Sequence, residues 1–209
     1  MNYLIAEIFG SLQGEGRWTG RPATFIRFAT CNLKCAWCDT PRQAAGKSTT
    51  LASVLKKVED FGNGSVVVTG GEPTIQTDLG VLVKALKARG LWVALETNGL
   101  VDVPELALFD YVAASPKAAF SARYLAGRHL TRADEVRIVA ESESIADFCR
   151  AIRKRIQAEN WYVSPLDDGK GRIHYRRAFN LLRKLNRHLD PGEPPWMLSI
   201  QTHKVLGLR

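Results

Sequence analysis

Short apolar runs alternate with helical stretches along most of this 209-residue chain, and that alternation limits the folds open to it. Strands are expected over residues 3–8, 23–28, 66–69, 91–96, 111–114, 135–139, 161–164 and 197–201. Helices are expected near 50–61, 78–89, 143–158 and 174–189. Several strands are nearly continuous apolar runs, the pattern of strands buried on both faces. Ser48, Thr49 and Thr50 offer capping side chains to the first helix. Thr77-Asp78 and Gly90 bracket the second. In the last, Ala178, Leu181, Leu182, Leu185 and Leu189 share one face, opposed by Arg176, Arg177, Arg183, Lys184 and Arg187, as on an ordinary surface helix. Such alternation builds a parallel α/β sheet. No clear helix separates residue 114 from 135, and the chain falls short of the roughly 250 residues that eight β/α units take. The expected architecture is therefore a modified, incomplete (β/α) barrel with a shortened helix complement, in a single domain over residues 1–209.

Composition narrows the class. At 45% hydrophobic and 24% charged, the chain can bury a core and is not disordered. No apolar run approaches the roughly 18–20 residues of a membrane span. The first eight residues carry Glu7 and no basic stretch, so they do not read as a signal peptide. Four cysteines, three of them clustered, do not make a disulfide framework, and the reducing cytoplasm is the expected compartment. The net charge of +8 is lopsided: residues 121–209 hold 17 basic and 10 acidic side chains, the first 120 hold 12 and 11. Aromatics are not interleaved with the basic residues as a nucleic-acid platform needs, so the charge reads as a solvated face.

The chemistry is concentrated at Cys31, Cys35 and Cys38, a C-x3-C-x2-C run directly after the 23–28 strand. Three thiolates are one too few for a closed tetrahedral zinc site or a fully ligated cubane. A 4Fe–4S cluster held this way keeps one iron open for a small molecule. Cys149 lies in a helical pattern and reads as core. In parallel sheets the site gathers at the carboxyl ends of the strands. Those ends here run into the cysteine loop, Gly70-Gly71-Glu72-Pro73, Thr97-Asn98-Gly99, Ser115-Pro116-Lys117 and Gln201-Thr202-His203-Lys204. Glu72 is the sole acid of its loop. Glycines at 70 and 71 allow close approach of other atoms to the strand edge. Trp37 sits between two of the cysteines and can shield a cluster from water.

The cysteine run followed by G-G-E-P resembles the radical S-adenosylmethionine (SAM) superfamily. Three further stretches are Ser11-Leu12-Gln13-Gly14-Glu15-Gly16, Gly20-Arg21-Pro22 and Phe25-Ile26-Arg27. Together with Cys31-Asn32-Leu33-Lys34-Cys35-Ala36-Trp37-Cys38-Asp39-Thr40, they are similar to the 7-carboxy-7-deazaguanine synthase family. The match is close over residues 9–40 and looser to residue 204. The resemblance implies a partly eroded radical-SAM barrel. It implies conversion of 6-carboxy-5,6,7,8-tetrahydropterin to 7-carboxy-7-deazaguanine, by ring contraction with loss of ammonia, on the route to queuosine. The implied enzyme is a carbon–nitrogen lyase that starts by abstracting hydrogen from C6 and regenerates SAM. Its implied cofactors are a 4Fe–4S cluster, SAM and Mg2+. Its implied partners are the pterin, an electron donor such as flavodoxin or ferredoxin, and a second copy of itself in a homodimer.

Residue by residue, the resemblance assigns Cys31, Cys35 and Cys38 to the cluster and Thr40 to Mg2+. It assigns Trp37, Cys38, Asp39, Gly71, Glu72, Ser115, Pro116, Lys117, Gln201, Thr202, His203 and Lys204 to the cofactor. Leu12, Gln13, Gly14, Glu15, Arg27, Thr69 and Arg209 are assigned to substrate. Simpler readings stand beside these: Arg27 as a surface cation, Thr40 as a turn residue before Pro41, His203 as a hydrogen-bonding residue, Glu96 as an ion-pair partner. At the level of function, the alternatives are a glycyl-radical activase of the same superfamily, against which the Gln13-Gly14-Glu15-Gly16 stretch argues, and a non-enzymatic iron–sulfur protein, which needs a fully ligated cluster.

Overall fold

The apolar runs assemble into one open nine-stranded sheet in a computed structural model that describes residues 1–38, 46–127 and 129–208. The strands are β1 (Asn2–Leu12), β2 (Pro22–Phe28), β3 (Lys47–Thr50), β4 (Ser65–Gly70), β5 (Trp92–Thr97), β6 (Tyr111–Ala114), β7 (Glu135–Ala140), β8 (Asn160–Pro165) and β9 (Trp196–Leu198). Their order is β3-β1-β2-β4-β5-β6-β7-β8-β9. From β2 onward every neighbour is parallel. The expectation of a parallel sheet fails at the other end, where β1 pairs antiparallel with both β2 and β3. For β1 and β2 the cause is loop length: a parallel crossover takes about a dozen residues or more, and the 13–21 stretch is too short.

The helices are α1 (Leu51–Phe61), α2 (Leu79–Lys87), α3 (Ser121–Ala126), α4 (Ala146–Arg153), α5 (Tyr175–Asn186) and α6 (Thr202–Val205). Thr50 caps α1, its hydroxyl accepting from Ser53 N at 3.1 Å, whereas Ser48 and Thr49 belong to β3 rather than to the cap. Asp78 precedes α2 in a left-handed conformation without a side-chain cap. The expected 143–158 helix is shorter, opening with a 3-10 turn at Glu143–Ile145. The 114–135 interval does hold a helix, α3; it escaped detection because it is barely two turns long, though it buries Tyr124 completely. The final strand stops at Leu198, short of the expected residue 201. There Ser199 N still bonds Val163 O, but Thr202 N turns to the Gly14 carbonyl at 2.9 Å.

That last contact explains how an open sheet makes an enclosed site. Thr202 N bonds Gly14 O, and Gly16 N donates to Ser199 Oγ at 2.9 Å. The C-terminal segment thus meets the loop after β1, and the sheet curls without its edge strands pairing. Helices cover the convex face, where Val66, Val68, Val93, Leu95, Val136 and Ile138 join Leu82, Leu86, Cys149 and Leu181 in the main core. The concave face has a small apolar layer of Phe9, Ala23, Phe25, Val67 and Ala94. Below it the Arg21 guanidinium lies 3.8 Å from the Trp92 ring centre and 4.8 Å from that of Trp18, plugging the barrel floor. Above it, at the carboxyl ends of the parallel strands, the concave face turns polar.

Helix α2 buries Leu79, Leu82, Val83 and Leu86, an i, i+3, i+4, i+7 stripe against the sheet. Leu82 is fully buried, so Leu82→Ala removes a side chain from a close-packed layer. It is expected to lower unfolding free energy by about 2–5 kcal/mol, read as an earlier urea midpoint with unchanged slope.

Candidate active site

One cleft at the carboxyl-end rim brings together most of the residues singled out in the sequence. It is lined by all three clustered cysteines and Trp37, by Gly70 and Gly71, by Ser115, Lys117 and Gln201, and by Glu15, Arg27, Thr69, Glu96 and Arg137. A continuation of it is lined by Leu12, Gln13, Gly14, Glu15, Arg27, Glu96, Gln201 and His203. The parallel register produces this gathering. Arg27 pairs with Thr69 between β2 and β4, and the strand ends beyond them reach one rim together.

A buried acid holds the rim. Glu72 is fully buried and accepts from Thr74 N (3.0 Å), Thr74 Oγ1 (2.8 Å), Thr97 Oγ1 (2.7 Å) and Asn98 N (2.7 Å). Its side chain therefore ties the 70–73 loop to the 97–99 loop. Gly71 has a similar duty. A Cβ there would lie 1.9 Å from the Thr30 carbonyl oxygen, and Glu72 N bonds that same oxygen at 2.7 Å. The glycine lets the loop dock on the residue before Cys31, and it also lines the cleft. The cysteine loop is braced further by Asn98 Nδ2 on Asn32 Oδ1 (2.7 Å) and by Arg123 on the Asn32 carbonyl (3.0 Å).

None of the three cysteines is in a disulfide; Cys31 and Cys38 are exposed and Cys35 is half-buried. Cys31 Sγ accepts from Leu33 N at 3.4 Å. Desolvation pushes the Cys31 and Cys35 thiols up from their ordinary value, a preference that iron would reverse by taking the thiolate. Lys117 reaches Ser115 Oγ at 2.6 Å and lies 5.2 Å from the Trp37 ring centre. Burial pushes its ammonium down, against the pull of Cys35 and Glu15. Pro116 is buried between these two cleft residues.

The charged residues of the cleft form a network. Arg27 Nε pairs with Glu7 Oε1 at 2.8 Å, so Arg27 is an oriented cation on the cleft wall rather than a stray surface charge. Glu96 is an ion-pair partner, as its simpler reading had it, but its place is in the cleft. It accepts from Arg137 (2.6 Å) and Gln13 (3.0 Å) at Oε1 and from Thr69 (2.8 Å) at Oε2. Burial alone would raise its carboxyl; the Arg137 guanidinium and these hydrogen bonds outweigh that and hold it at about 2. Arg137 was missed in the sequence. Its signal is the alternation Glu135-Val136-Arg137 in an apolar strand, which puts both charges on the concave face.

The C-terminal residues divide. Gln201 lines both parts of the cleft. Thr202 uses its N–H on Gly14. Lys204 Nζ pairs with Asp167 Oδ2 at 2.7 Å. His203 faces Gly14 so closely that a Cβ on that glycine would overlap its ring, and it lines the cleft beside Leu12, Gln13 and Arg27. Asp39, Thr40 and Arg209 lie outside the described residues.

The pattern of the radical SAM superfamily matches residues 25–157. A 7-carboxy-7-deazaguanine synthase from Haemophilus influenzae is 43% identical, over 99% of this chain and 94% of that protein. One from Neisseria meningitidis is 42% identical, with the same coverage. The chain belongs to the radical SAM superfamily and, within it, to the 7-carboxy-7-deazaguanine synthase family. The crystal structure of QueE from Escherichia coli superposes with a TM-score of 0.71 at 26% identity, covering 97% of this chain and 95% of that one. Radical SAM membership implies a 4Fe–4S cluster and SAM. The donor set fits them: three thiols face one cleft, with Gly70, Gly71, Ser115 and Lys117 across from them. Among the described residues no three His, Cys, Asp or Glu side chains converge on a site for a single metal ion.

For this radical SAM protein, replacing Cys31, Cys35 or Cys38 with Ala is expected to abolish iron–sulfide uptake and the brown absorbance. Cys149→Ala is expected to retain both, because Cys149 is buried in α4 and its thiol is pushed up to about 12 by desolvation. Iron analysis after anaerobic reconstitution checks this. One zinc per chain with no iron uptake would contradict it.

Proposed function

We propose that this chain is a 7-carboxy-7-deazaguanine synthase, converting 6-carboxy-5,6,7,8-tetrahydropterin to 7-carboxy-7-deazaguanine by ring contraction with loss of ammonia. The observation that carries the reading is one cleft with three thiols at its mouth, a held arginine on one wall and paired carboxylates on another. Such a site suits a small molecule with a carboxylate at one end and a guanidine-like edge at the other. Cys31, Cys35 and Cys38 would hold the cluster. Trp37, Asp39, Gly71, Ser115, Pro116, Lys117 and Gln201 would border SAM. When bound, cluster and SAM supply the one-electron chemistry that removes a hydrogen atom from the substrate.

The chain's own residues do the rest by position. Glu7 fixes Arg27 through Nε, aiming the planar fork along the wall, where it can grip a carboxylate bidentately. Glu15 and Glu96 accept N–H donors from the opposite edge of the substrate, with Thr69 and Gln13 setting Glu96 in place. Leu12, Gly14 and His203 close the pocket beside them, and Arg209 belongs to the same side of the proposal. Mg2+ held through Thr40 rests on the sequence resemblance. A small one-electron carrier such as flavodoxin or ferredoxin as reductant, assembly as a homodimer, the lyase class and a single domain over 1–209 belong to the same reading. Among the described residues no helix is long and apolar enough to cross a membrane.

The reading is tested by anaerobic turnover of the reconstituted protein with SAM, reductant, Mg2+ and the carboxytetrahydropterin. A product that has lost ammonia is expected; SAM cleavage indifferent to the pterin contradicts it. Arg27→Lys is expected to raise the substrate KM by the equivalent of about 1.5–3 kcal/mol, with SAM affinity unchanged, because an ammonium cannot form the fork contact. Thr40→Ala is expected to keep the cluster spectrum and to need more Mg2+ for half-maximal turnover. Superimposable Mg2+ titrations of the two proteins would remove Thr40 from the metal site.

A further inference from the structure

We propose that Arg137 is the positioning residue of the substrate pocket, fixing Glu15 and Glu96 as one acceptor face for the amino-pyrimidine edge of the substrate. This rests on the function proposed above. Arg137 is 5% exposed, on the concave face of β7, and it reaches acids from three separate parts of the chain. Its terminal nitrogens lie 2.6 Å from Glu96 on β5 and 3.3 Å from Glu15 in the loop after β1. Its Nε lies 2.8 Å from Glu135 two residues earlier, an ion-pair distance at which the N–H points off line.

The three acids are not equivalent. Glu135 is turned to the floor, where Arg17 N (2.8 Å) and the Tyr111 hydroxyl (2.9 Å) donate to it, anchoring the loop that carries Glu15. Glu15 and Glu96 face the cleft. Among the described residues, the side-chain hydrogen bonds to the Glu15 carboxylate are long, from Arg137 at 3.3 Å and from Ser164 Oγ at 3.3 Å, with the Lys117 ammonium an electrostatic neighbour, so its oxygens retain acceptor capacity. One guanidinium among three carboxylates leaves acceptors in excess, and the excess faces the cleft. That arrangement suits a neutral or cationic N–H edge and disfavours an anionic one.

Removing the guanidinium leaves three carboxylates close together in a buried setting, and such groups take up protons. A protonated Glu15 or Glu96 presents a hydroxyl where the substrate needs an acceptor. The sign follows. Glu96 is normally ionised throughout the working range, being held at about 2. Without Arg137 its protonation moves up, and substrate affinity is lost as pH falls through the raised value. The other charged or titratable groups around the network stay in place: Glu7 and Arg27 on β1 and β2, Tyr111 on β6, Lys117 after it, Tyr162 on β8 and His203 on α6.

The test compares reconstituted wild type, Arg137→Lys and Arg137→Met, measuring kcat and KM for the carboxytetrahydropterin from mildly acidic to mildly basic pH. Arg137→Met is expected to raise KM about tenfold or more, with a smaller change in kcat. Its acid limb of kcat/KM is expected to move to higher pH. Arg137→Lys is expected to fall between, because an ammonium restores charge without the fork. A purely structural role would lower yield or melting temperature while leaving KM and the acid limb at wild-type values in the folded fraction; that result overturns the proposal. If Arg137→Met fails to fold, Arg137→Lys decides on the same readings, with an unchanged KM and acid limb counting against it. A wild type that ignores the pterin overturns the function beneath the proposal, whereas a wild type that turns it over beside unchanged variants overturns the proposal alone.

Discussion

A buried charge must be saturated with partners or it unfolds what surrounds it, and this constraint organises the site at two levels. At the rim, Glu72 is sealed from water and takes four hydrogen bonds from Thr74, Thr97 and Asn98. Those bonds fuse two strand-end loops into one support, on which the segment leading to Cys31 rests through the Thr30 carbonyl. On the concave face, Arg137 gathers Glu15, Glu96 and Glu135. The rim supports the thiol loop, and the concave network sets the facing wall of the cleft. Neither acid–base set is on the solvent-facing surface, where ion pairs contribute little.

The open sheet is compatible with this because closure is achieved by loops. The contacts of Thr202 with Gly14 and of Ser199 with Gly16 draw the last segment over the first loop. His203 consequently packs where Gly14 leaves space, and this part of the cleft is built jointly by residues 12–15 and 201–203. Gly14 thus matters for what approaches it from the far terminus, a constraint invisible in its own neighbourhood of sequence.

The elements legible in the sequence were those with strong local signals. The apolar runs of β2, β4, β5, β6 and β8 and the amphipathic stripes of α1, α2 and α5 follow from periodicity. Likewise the cysteine run, G-G-E-P and the Leu12–Gly16 stretch pointed to one place, and most of them line one cleft. What escaped was non-local. The antiparallel β1 is set by a loop too short for a crossover, and β3 exists only as a partner for the start of β1. The contacts of Glu72 and Gly71 depend on neighbours about 25 and 40 positions away in sequence, a separation that no spacing rule covers. Arg137 carried a local clue, since alternate charges in a buried strand need partners, but their identity required the curl of the sheet.

On the proposed function, one cleft grips a single small molecule at two ends, with Arg27 on a carboxylate and Glu15 with Glu96 on an amino-pyrimidine edge. Equilibrium binding of three ligands to the SAM-loaded protein tests it most directly: the carboxytetrahydropterin, its analogue without the carboxylate, and its analogue without the exocyclic amino group. The account predicts that each deletion weakens binding by about tenfold or more, and that Arg27→Lys no longer distinguishes the carboxylate-free analogue from the parent as strongly. Equal affinity for all three ligands would contradict it.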